Sequence, residues 1–218
     1  MEKSSKQEMI TVLLRRYGST FAEELGIPVK KNTPSVLFRL LCAALLFSAR
    51  ISYKIAIRAA QSLTEHGWTT PEKMIAAGWA ERTKVLNRSG YARYDERTSR
   101  MLGDTAQLLL DQYKGDLRNL REEADRKPEK ERMLLKQFKG IGDVGVDIFF
   151  REVQIAWEEL FPFADQRALV GAKNLGLTDN VRILADLAGS YDFPRLVAAL
   201  VRVQLEGKYT EVLEESQQ

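Results

Sequence analysis

The stretch Phe138-Lys139-Gly140-Ile141-Gly142-Asp143-Val144-Gly145-Val146 decides the fold of this chain. An amphipathic segment, 129–137, precedes it and an apolar run, 144–153, follows it, so the pattern predicts a tight turn between two helices. Glycines at 140 and 142 permit backbone torsions and close approaches that side chains would block. The second helix then begins with bare N–H groups, which suit a DNA phosphate. An ordinary helix connection without a ligand gives the same pattern.

A second informative stretch, Phe161-Pro162-Phe163-Ala164-Asp165-Gln166-Arg167-Ala168, lies downstream of the turn. Asp165 follows an apolar, proline-containing loop and precedes a helical pattern. This position suits a helix N-cap, where a carboxylate accepts backbone N–H bonds. Sequence spacing alone therefore gives Asp165 a structural role.

Helical periodicity dominates the rest of the chain, and strand signals are scarce. Apolar residues at 10, 13, 14 and 17 mark a first helix, and Thr33 and Ser52 are expected to cap the next two. Further helices are predicted at 80–87, 94–113, 117–124, 166–175, 179–188 and 192–206, with a short one beginning at Thr70-Pro71. We therefore predict an all-α fold without internal repeats.

Composition limits the functional classes without selecting one. The chain has 218 residues, 44% of them hydrophobic, with a formal net charge of +3. This charge is a modest indication of an anionic partner. The single cysteine, Cys42, lies in an apolar run and excludes an intramolecular disulfide. Because the apolar run at 40–47 is too short to span a bilayer, we expect no membrane association and a cytoplasmic location.

The turn and the downstream aspartate together resemble the helix–hairpin–helix (HhH-GPD) DNA glycosylase superfamily, and endonuclease III in particular. In that superfamily a hairpin of the type L-P-G-V-G-x-K-T-A is followed by a glycine- or proline-rich loop and an aspartate. Three more stretches resemble segments of endonuclease III and follow one another in the same order. Residues 34–50 resemble its long apolar helix, which ends in L-L-S-A-Q. Ser89-Gly90-Tyr91 resembles its G-L-Y segment, and Gly207-Lys208-Tyr209-Thr210 resembles its G-R-Y-T segment.

The resemblance implies a two-domain all-α fold with a cleft between the domains. Carried over, residues 31–152 form a six-helix domain that contains the helix–hairpin–helix. Residues 1–30 and 153–218 form a second, discontinuous helical domain without a cluster. Duplex DNA would bind in the cleft, and the hairpin and Asp165 would lie on opposite lips. Because Arg151-Glu152 lies just after the buried run of the second hairpin helix, we expect it to form an interdomain ion pair rather than to act in catalysis.

The resemblance also implies base-excision-repair chemistry on a flipped base. Asp165 would stabilise the oxocarbenium-like charge on the sugar or polarise a water molecule. A monovalent cation could bind the hairpin carbonyls, and the protein would work as a nucleoid-associated monomer. The residues expected to contact DNA are Lys139, Gly140, Ile141, Gly142, Val144, Gly145 and Arg50.

Three departures from endonuclease III restrict the function. Val144 occupies the position of the lysine nucleophile, so lyase activity is disfavoured and a monofunctional glycosylase is expected. One cysteine cannot ligate a four-iron cluster. Arg50 replaces the glutamine that fills the gap left by the extruded base; arginine can fill that gap, or it can complement the helix dipole. Ala43 replaces the glutamate of adenine-specific relatives.

A cluster of aromatic and charged residues is the candidate base pocket, since a flipped base needs stacking surfaces and polar groups at its edge. Its members are Tyr91, Arg93, Tyr94, Asp95 and Glu96. A helix start with a solvated acidic first turn explains the same residues equally well. For the whole chain, the main alternative function is a non-catalytic DNA-binding protein on the same fold, and a third is a helical scaffold for protein partners.

Overall fold

The computed structural model describes residues 3–217, and no residue in that range lies in a β-strand. None of the described helices is long and apolar enough to cross a bilayer. The helices are α1 (Lys3–Tyr17), α2 (Phe21–Glu24), α3 (Pro34–Phe47), α4 (Tyr53–Glu65), α5 (Pro71–Ala76), α6 (Gly78–Leu86), α7 (Asp95–Tyr113), α8 (Leu117–Glu123), α9 (Pro128–Leu135), α10 (Asp143–Val153), α11 (Gln166–Asn174), α12 (Val181–Ala188), α13 (Phe193–Glu206) and α14 (Tyr209–Glu215). The all-α prediction is confirmed.

The chain divides into two compact units. The central unit comprises Leu25–Phe149, and the flanking unit joins the residues up to Glu24 with those from Phe150 onward. The divisions therefore fall at 24/25 and 149/150, where the resemblance places them at 30/31 and 152/153. The flanking unit is built from both sides of the central unit in sequence.

Helix α3 forms the middle of the central unit. Ten of its fourteen residues are buried, which explains why its sequence is apolar on nearly every side. Pro34 occupies its first turn, where the missing N–H is tolerated, and Thr33 precedes it as the N-cap residue. The helix packs against α4, α7 and α8. Cys42 lies within this core, and burial raises the pKa of its thiol.

Helix α13 is the corresponding core element of the flanking unit, and it packs against α1 and α11. Leu196, Val197 and Leu200 on this helix are fully buried. A Cβ on Gly171 of α11 would lie 2.7 Å from the carbonyl oxygen of Leu200. Glycine therefore lets the backbones of α11 and α13 approach closely, which fixes the position of the helix that begins after Asp165.

Candidate functional site

The predicted hairpin is a turn between α9, which ends at Leu135, and α10, which begins at Asp143. Phe138 and Ile141 are buried, and the Ile141 N–H donates a 3.0 Å hydrogen bond to the Phe138 carbonyl. These apolar residues anchor the turn to the central unit. Ile141, predicted to contact DNA, can therefore offer only its backbone.

The three glycines of the turn have different environments. A Cβ on Gly140, whose φ is +91°, would lie 2.8 Å from Met101 Sδ. A Cβ on Gly145 would lie 2.9 Å from Ser48 Oγ. A Cβ on Gly142 would have no atom within 4 Å. Gly140 and Gly145 are thus needed for packing, whereas the exposed Gly142 leaves room beside the turn for a ligand to approach the backbone.

The first turn of α10 offers backbone donors. The Val146 N–H donates a 3.0 Å hydrogen bond to the Gly142 carbonyl. The amides of residues 143–145 come before that bond, as expected at a helix N-terminus, and such amides favour anions. A phosphate site at this turn stays a prediction.

Acidic groups partly oppose an anion here. Lys136 Nζ lies 2.8 Å from Asp143 Oδ1, and its hydrogen bond and charge lower the pKa of that carboxyl. The exposed Lys139 lies 3.6 Å from Asp104 Oδ2 across the turn. Both lysines are close enough to the turn to contact a phosphate. Each of them also forms an ion pair, Lys136 with Asp143 and Lys139 with Asp104.

Arg50 and Val144 lie near this turn. Ser48, which contacts Gly145, ends α3, and the exposed Arg50 follows two residues later. Arg50 lies beyond the last turn of α3, which weakens its interpretation as a dipole partner because that effect fades within one turn. Val144 is 53% exposed at the position of the family's lysine.

Asp165 is the N-cap of α11, as the sequence predicts. Its Oδ1 accepts a 2.9 Å hydrogen bond from the Ala168 N–H. Its Oδ2 accepts a 2.6 Å hydrogen bond from Arg151 Nη1. Asp165 is only 7% exposed and Arg151 only 5%. Both carboxylate oxygens therefore have partners.

Arg151 connects Asp165 with the beginning of the chain. Its Nε lies 3.3 Å from Glu152 Oε1, and Glu152 Oε2 accepts a 2.9 Å hydrogen bond from the Ala22 N–H. The Arg151 guanidinium also lies 5.0 Å from the centre of the Phe21 ring. All of these residues belong to the flanking unit, so the prediction of an interdomain Arg151–Glu152 pair was wrong.

Gln154 fixes the loop before Asp165, and sequence reasoning missed this role. Its Nε2 donates to the carbonyls of Arg151, at 2.9 Å, and Phe163, at 3.0 Å. Its Oε1 accepts a 3.0 Å hydrogen bond from the Phe163 N–H. The available signal was the polar series Arg151, Glu152 and Gln154 directly after a strongly apolar run.

Tyr91, a candidate for the base pocket, lies in the core. It is fully buried, and its hydroxyl donates a 2.8 Å hydrogen bond to the Leu46 carbonyl. Burial raises the pKa of Tyr91 to about 12. Its ring therefore supports α3 and does not line an open pocket in this structure.

The other pocket candidates surround the start of α7. Asp95 accepts hydrogen bonds from Asn87 Nδ2 and from the Glu96 N–H, each at 2.7 Å. The Arg93 guanidinium lies 5.3 Å from the centre of the Tyr94 ring. Glu96 is exposed. These contacts are those of a helix start, and a base pocket at Arg93, Tyr94, Asp95 and Glu96 stays a prediction.

Comparison with known proteins identifies the fold. No family model matches the chain, and no curated protein matches it in sequence. A trapped endonuclease III–DNA covalent intermediate, an estranged-adenine complex, has a TM-score of 0.50 at 19% identity and covers 77% of this chain and 73% of its own. The H. pylori 3-methyladenine DNA glycosylase MagIII, bound to 1,N6-ethenoadenine, has a TM-score of 0.60 at 14% identity and covers 97% of this chain and 99% of its own.

The chain therefore has the all-α fold of these two solved structures, and the resemblance seen in the sequence is confirmed at the level of the fold. Fold alone does not determine activity, which depends on the groups that the fold carries. The predicted groups in this chain are the hairpin, in which Gly142 is open, and Asp165, which is buried.

Proposed function

We propose that this protein is a DNA glycosylase that hydrolyses the N-glycosidic bond of a base flipped out of duplex DNA. The observation that carries the proposal is Asp165, a carboxylate held by two hydrogen bonds on a glycosylase fold. Carboxylates are the groups that stabilise positive charge on a sugar as its glycosidic bond breaks. The matched proteins support the substrate class, since one was solved joined to DNA and the other with a modified adenine.

The reaction we propose needs no amine. The bond between C1′ and the base nitrogen breaks, and the base leaves with the electron pair. Asp165 stabilises the oxocarbenium-like sugar, and water adds to C1′. The proton that the water loses is balanced by the proton that the released base takes up, and the product is an abasic site. Val144 cannot form the Schiff base that strand cleavage by β-elimination requires. The product is therefore an intact strand with an abasic sugar.

We propose that the hairpin binds a phosphate of the same DNA. Gly142 allows the closest approach, the amides at the start of α10 donate to the phosphate, and Lys139 adds charge. Arg50 would enter the gap left by the flipped nucleotide. Carbonyls of the turn would hold a monovalent cation, and the protein would act as a monomer.

One observation favours a second candidate, a DNA-binding protein without catalysis. Both oxygens of Asp165 are hydrogen-bonded, to Arg151 and to the Ala168 N–H, and the side chain is almost completely buried. A carboxylate with these partners is sufficiently explained as a helix cap joined to a buried ion pair. Val144 and the absent cluster cysteines agree with this candidate as well.

A substrate screen separates the two functions. Purified protein is incubated with duplexes that each contain one modified or mismatched base, including 3-methyladenine and 1,N6-ethenoadenine. Each product is analysed with and without alkali, which cleaves abasic strands. We expect cleavage of at least one duplex only after alkali, and no base release by Asp165→Asn, which retains DNA binding.

Three results would contradict the proposal. Cleavage without alkali would show lyase activity despite Val144. Salt-sensitive DNA binding with no base release from any duplex would identify the non-catalytic candidate. A chain that binds no DNA at low salt would instead be a scaffold for protein partners.

A further inference from the structure

We infer that Arg151 is a positioning residue that holds the Asp165 carboxylate in its working orientation, an inference that rests on the proposed glycosylase function. An N-cap aspartate needs only one oxygen for the helix amides. In this chain Oδ1 accepts a hydrogen bond from the Ala168 N–H, and Oδ2 accepts one from Arg151 Nη1. Two hydrogen bonds to different elements fix the plane of the carboxylate, which a cap alone does not.

Arg151 is itself immobilised. Its Nε contacts Glu152, which is bound in turn by the Ala22 N–H at the start of α2. Its guanidinium lies over the Phe21 ring, and Arg202 lies over the same ring at 4.6 Å. The orientation of Asp165 therefore depends on α2, more than 140 residues away along the chain. Because Arg151 is 5% exposed, it has little freedom to exchange partners with water.

The charges in this cluster suit catalysis. One guanidinium is shared between two carboxylates, Glu152 and Asp165, so the three side chains together retain one negative charge. A net negative site still attracts the positive sugar of the transition state. If Arg151 served Asp165 alone, the pair would be neutral and this attraction would be weaker. Sharing therefore lets Arg151 orient Asp165 without cancelling its charge.

Two abasic-site analogues test this inference without knowledge of the target base. A duplex with a pyrrolidine carries a cation at the sugar position, as the transition state does, whereas a duplex with tetrahydrofuran is neutral. The ratio of their affinities measures how strongly the protein recognises the charge. We expect the native protein to prefer pyrrolidine, and Asp165→Asn to lose that preference.

The decisive variant is the charge-balanced double substitution Arg151→Met with Glu152→Gln. It removes one cation and one anion, so it leaves the net charge of the cluster unchanged and avoids a second unpaired buried carboxylate. We expect the preference for pyrrolidine to fall about tenfold while the tetrahydrofuran affinity stays within about twofold. Arg151→Lys retains the charge and can still donate hydrogen bonds, but it lacks the planar guanidinium, so it should recover part of the preference.

Each other result overturns a specific claim. If the double variant or Arg151→Lys lowers the midpoint of urea unfolding but leaves the affinity ratio unchanged, Arg151 is structural only. If the ratio rises, Arg151 restrains Asp165 and our inference has the wrong sign. If Asp165→Asn leaves the ratio unchanged, the proposed function fails first, independently of Arg151. Should the double variant not fold, the ratio for Arg151→Lys decides: an unchanged ratio overturns the inference.

Discussion

Arg151 Nη1 lies 2.6 Å from Asp165 Oδ2, and less than a tenth of either side chain is exposed. Removing Arg151 would leave the buried Asp165 carboxylate without its cation, whereas removing Asp165 would leave Arg151 with Glu152 as its remaining partner. An exposed pair contributes little by comparison. The same contact therefore bears on stability and, if Asp165 is catalytic, on activity. The two effects can be measured separately.

Stability distinguishes two substitutions of Asp165. Asp165→Ala removes the cap of α11 and one of the two carboxylates that share Arg151, so we expect the free energy of unfolding to fall by about 3–5 kcal/mol. Asp165→Asn keeps an oxygen for the Ala168 N–H and should lose clearly less, since asparagine is a good N-cap. Urea unfolding followed by circular dichroism measures both. Equal losses would show that the cap contributes nothing.

Gly140→Ala and Gly142→Ala form a matched pair in the hairpin. The first places a methyl group 2.8 Å from Met101 Sδ at a φ of +91°, and it should lower stability and DNA binding together. The second meets no atom within 4 Å, so the fold should tolerate it. If a phosphate approaches Gly142, this methyl group should weaken DNA binding without changing the unfolding midpoint. Unchanged binding of Gly142→Ala would place the phosphate elsewhere.

Val144→Lys should install the missing amine. The site is half exposed, so the longer side chain fits without repacking the core. We expect a covalent complex with abasic DNA that borohydride traps, because reduction fixes a Schiff base. The native protein and Val144→Met, which has a flexible chain without an amine, should give none. Trapping by the native protein would reveal another nucleophilic amine.

We expect Asp143→Asn to bind DNA more tightly than the native protein does. Its DNA affinity should also change less as the pH falls. Lys136 lowers the pKa of Asp143, so the carboxylate remains ionised in the folded protein to lower pH than in the unfolded chain. The pair therefore stabilises the fold above the ordinary carboxyl range, and this contribution is lost as the pH falls through the lowered pKa. Below that pH the native protein should bind DNA as the variant does.

Asp125→Asn is the control for this prediction. Asp125 also pairs with a lysine, Lys130, at 2.6 Å, and its pKa is lowered for the same reason, but it precedes α9 and is not at the start of α10. Its φ of +55° is one that asparagine tolerates. Titrations of labelled duplex at two salt concentrations compare the variants. An equal gain for both would indicate a general charge effect.

Sequence periodicity predicted the long helices because each has an apolar face that its neighbours cover. Helix α3 has the Pro34 start that was expected, and Thr33 occupies its N-cap position but makes no capping hydrogen bond with its side chain. Helix α13 begins one residue after the predicted 192. The short helices α2 and α14 were not predicted, since four and seven residues carry little periodicity. Contacts from distant residues support them, such as Glu152 at the Ala22 N–H and the pair between Arg16 and Glu215.

The candidate site was predicted only where its structure depends on residues that are close in sequence. The cap at Asp165 and the turn at 138–146 depend on neighbours in sequence, so their patterns are visible there. Arg151 reaches Asp165 from fourteen residues away, and which carboxylates share it depends on packing in three dimensions. The burial of Tyr91 beneath α3 is likewise a tertiary effect that its place in a polar segment concealed.

The division of the chain also has a consequence for the order in which it folds. The central unit is one uninterrupted stretch, so it can complete its core while later residues are still being synthesised. Helix α1 must wait for α13, because the two pack together from opposite sides of that stretch. If the central unit folds first, the segment between α1 and α13 is already ordered. Less conformational entropy is then lost when these two helices pack together. Asp165 would then acquire its final surroundings only in the last phase of folding.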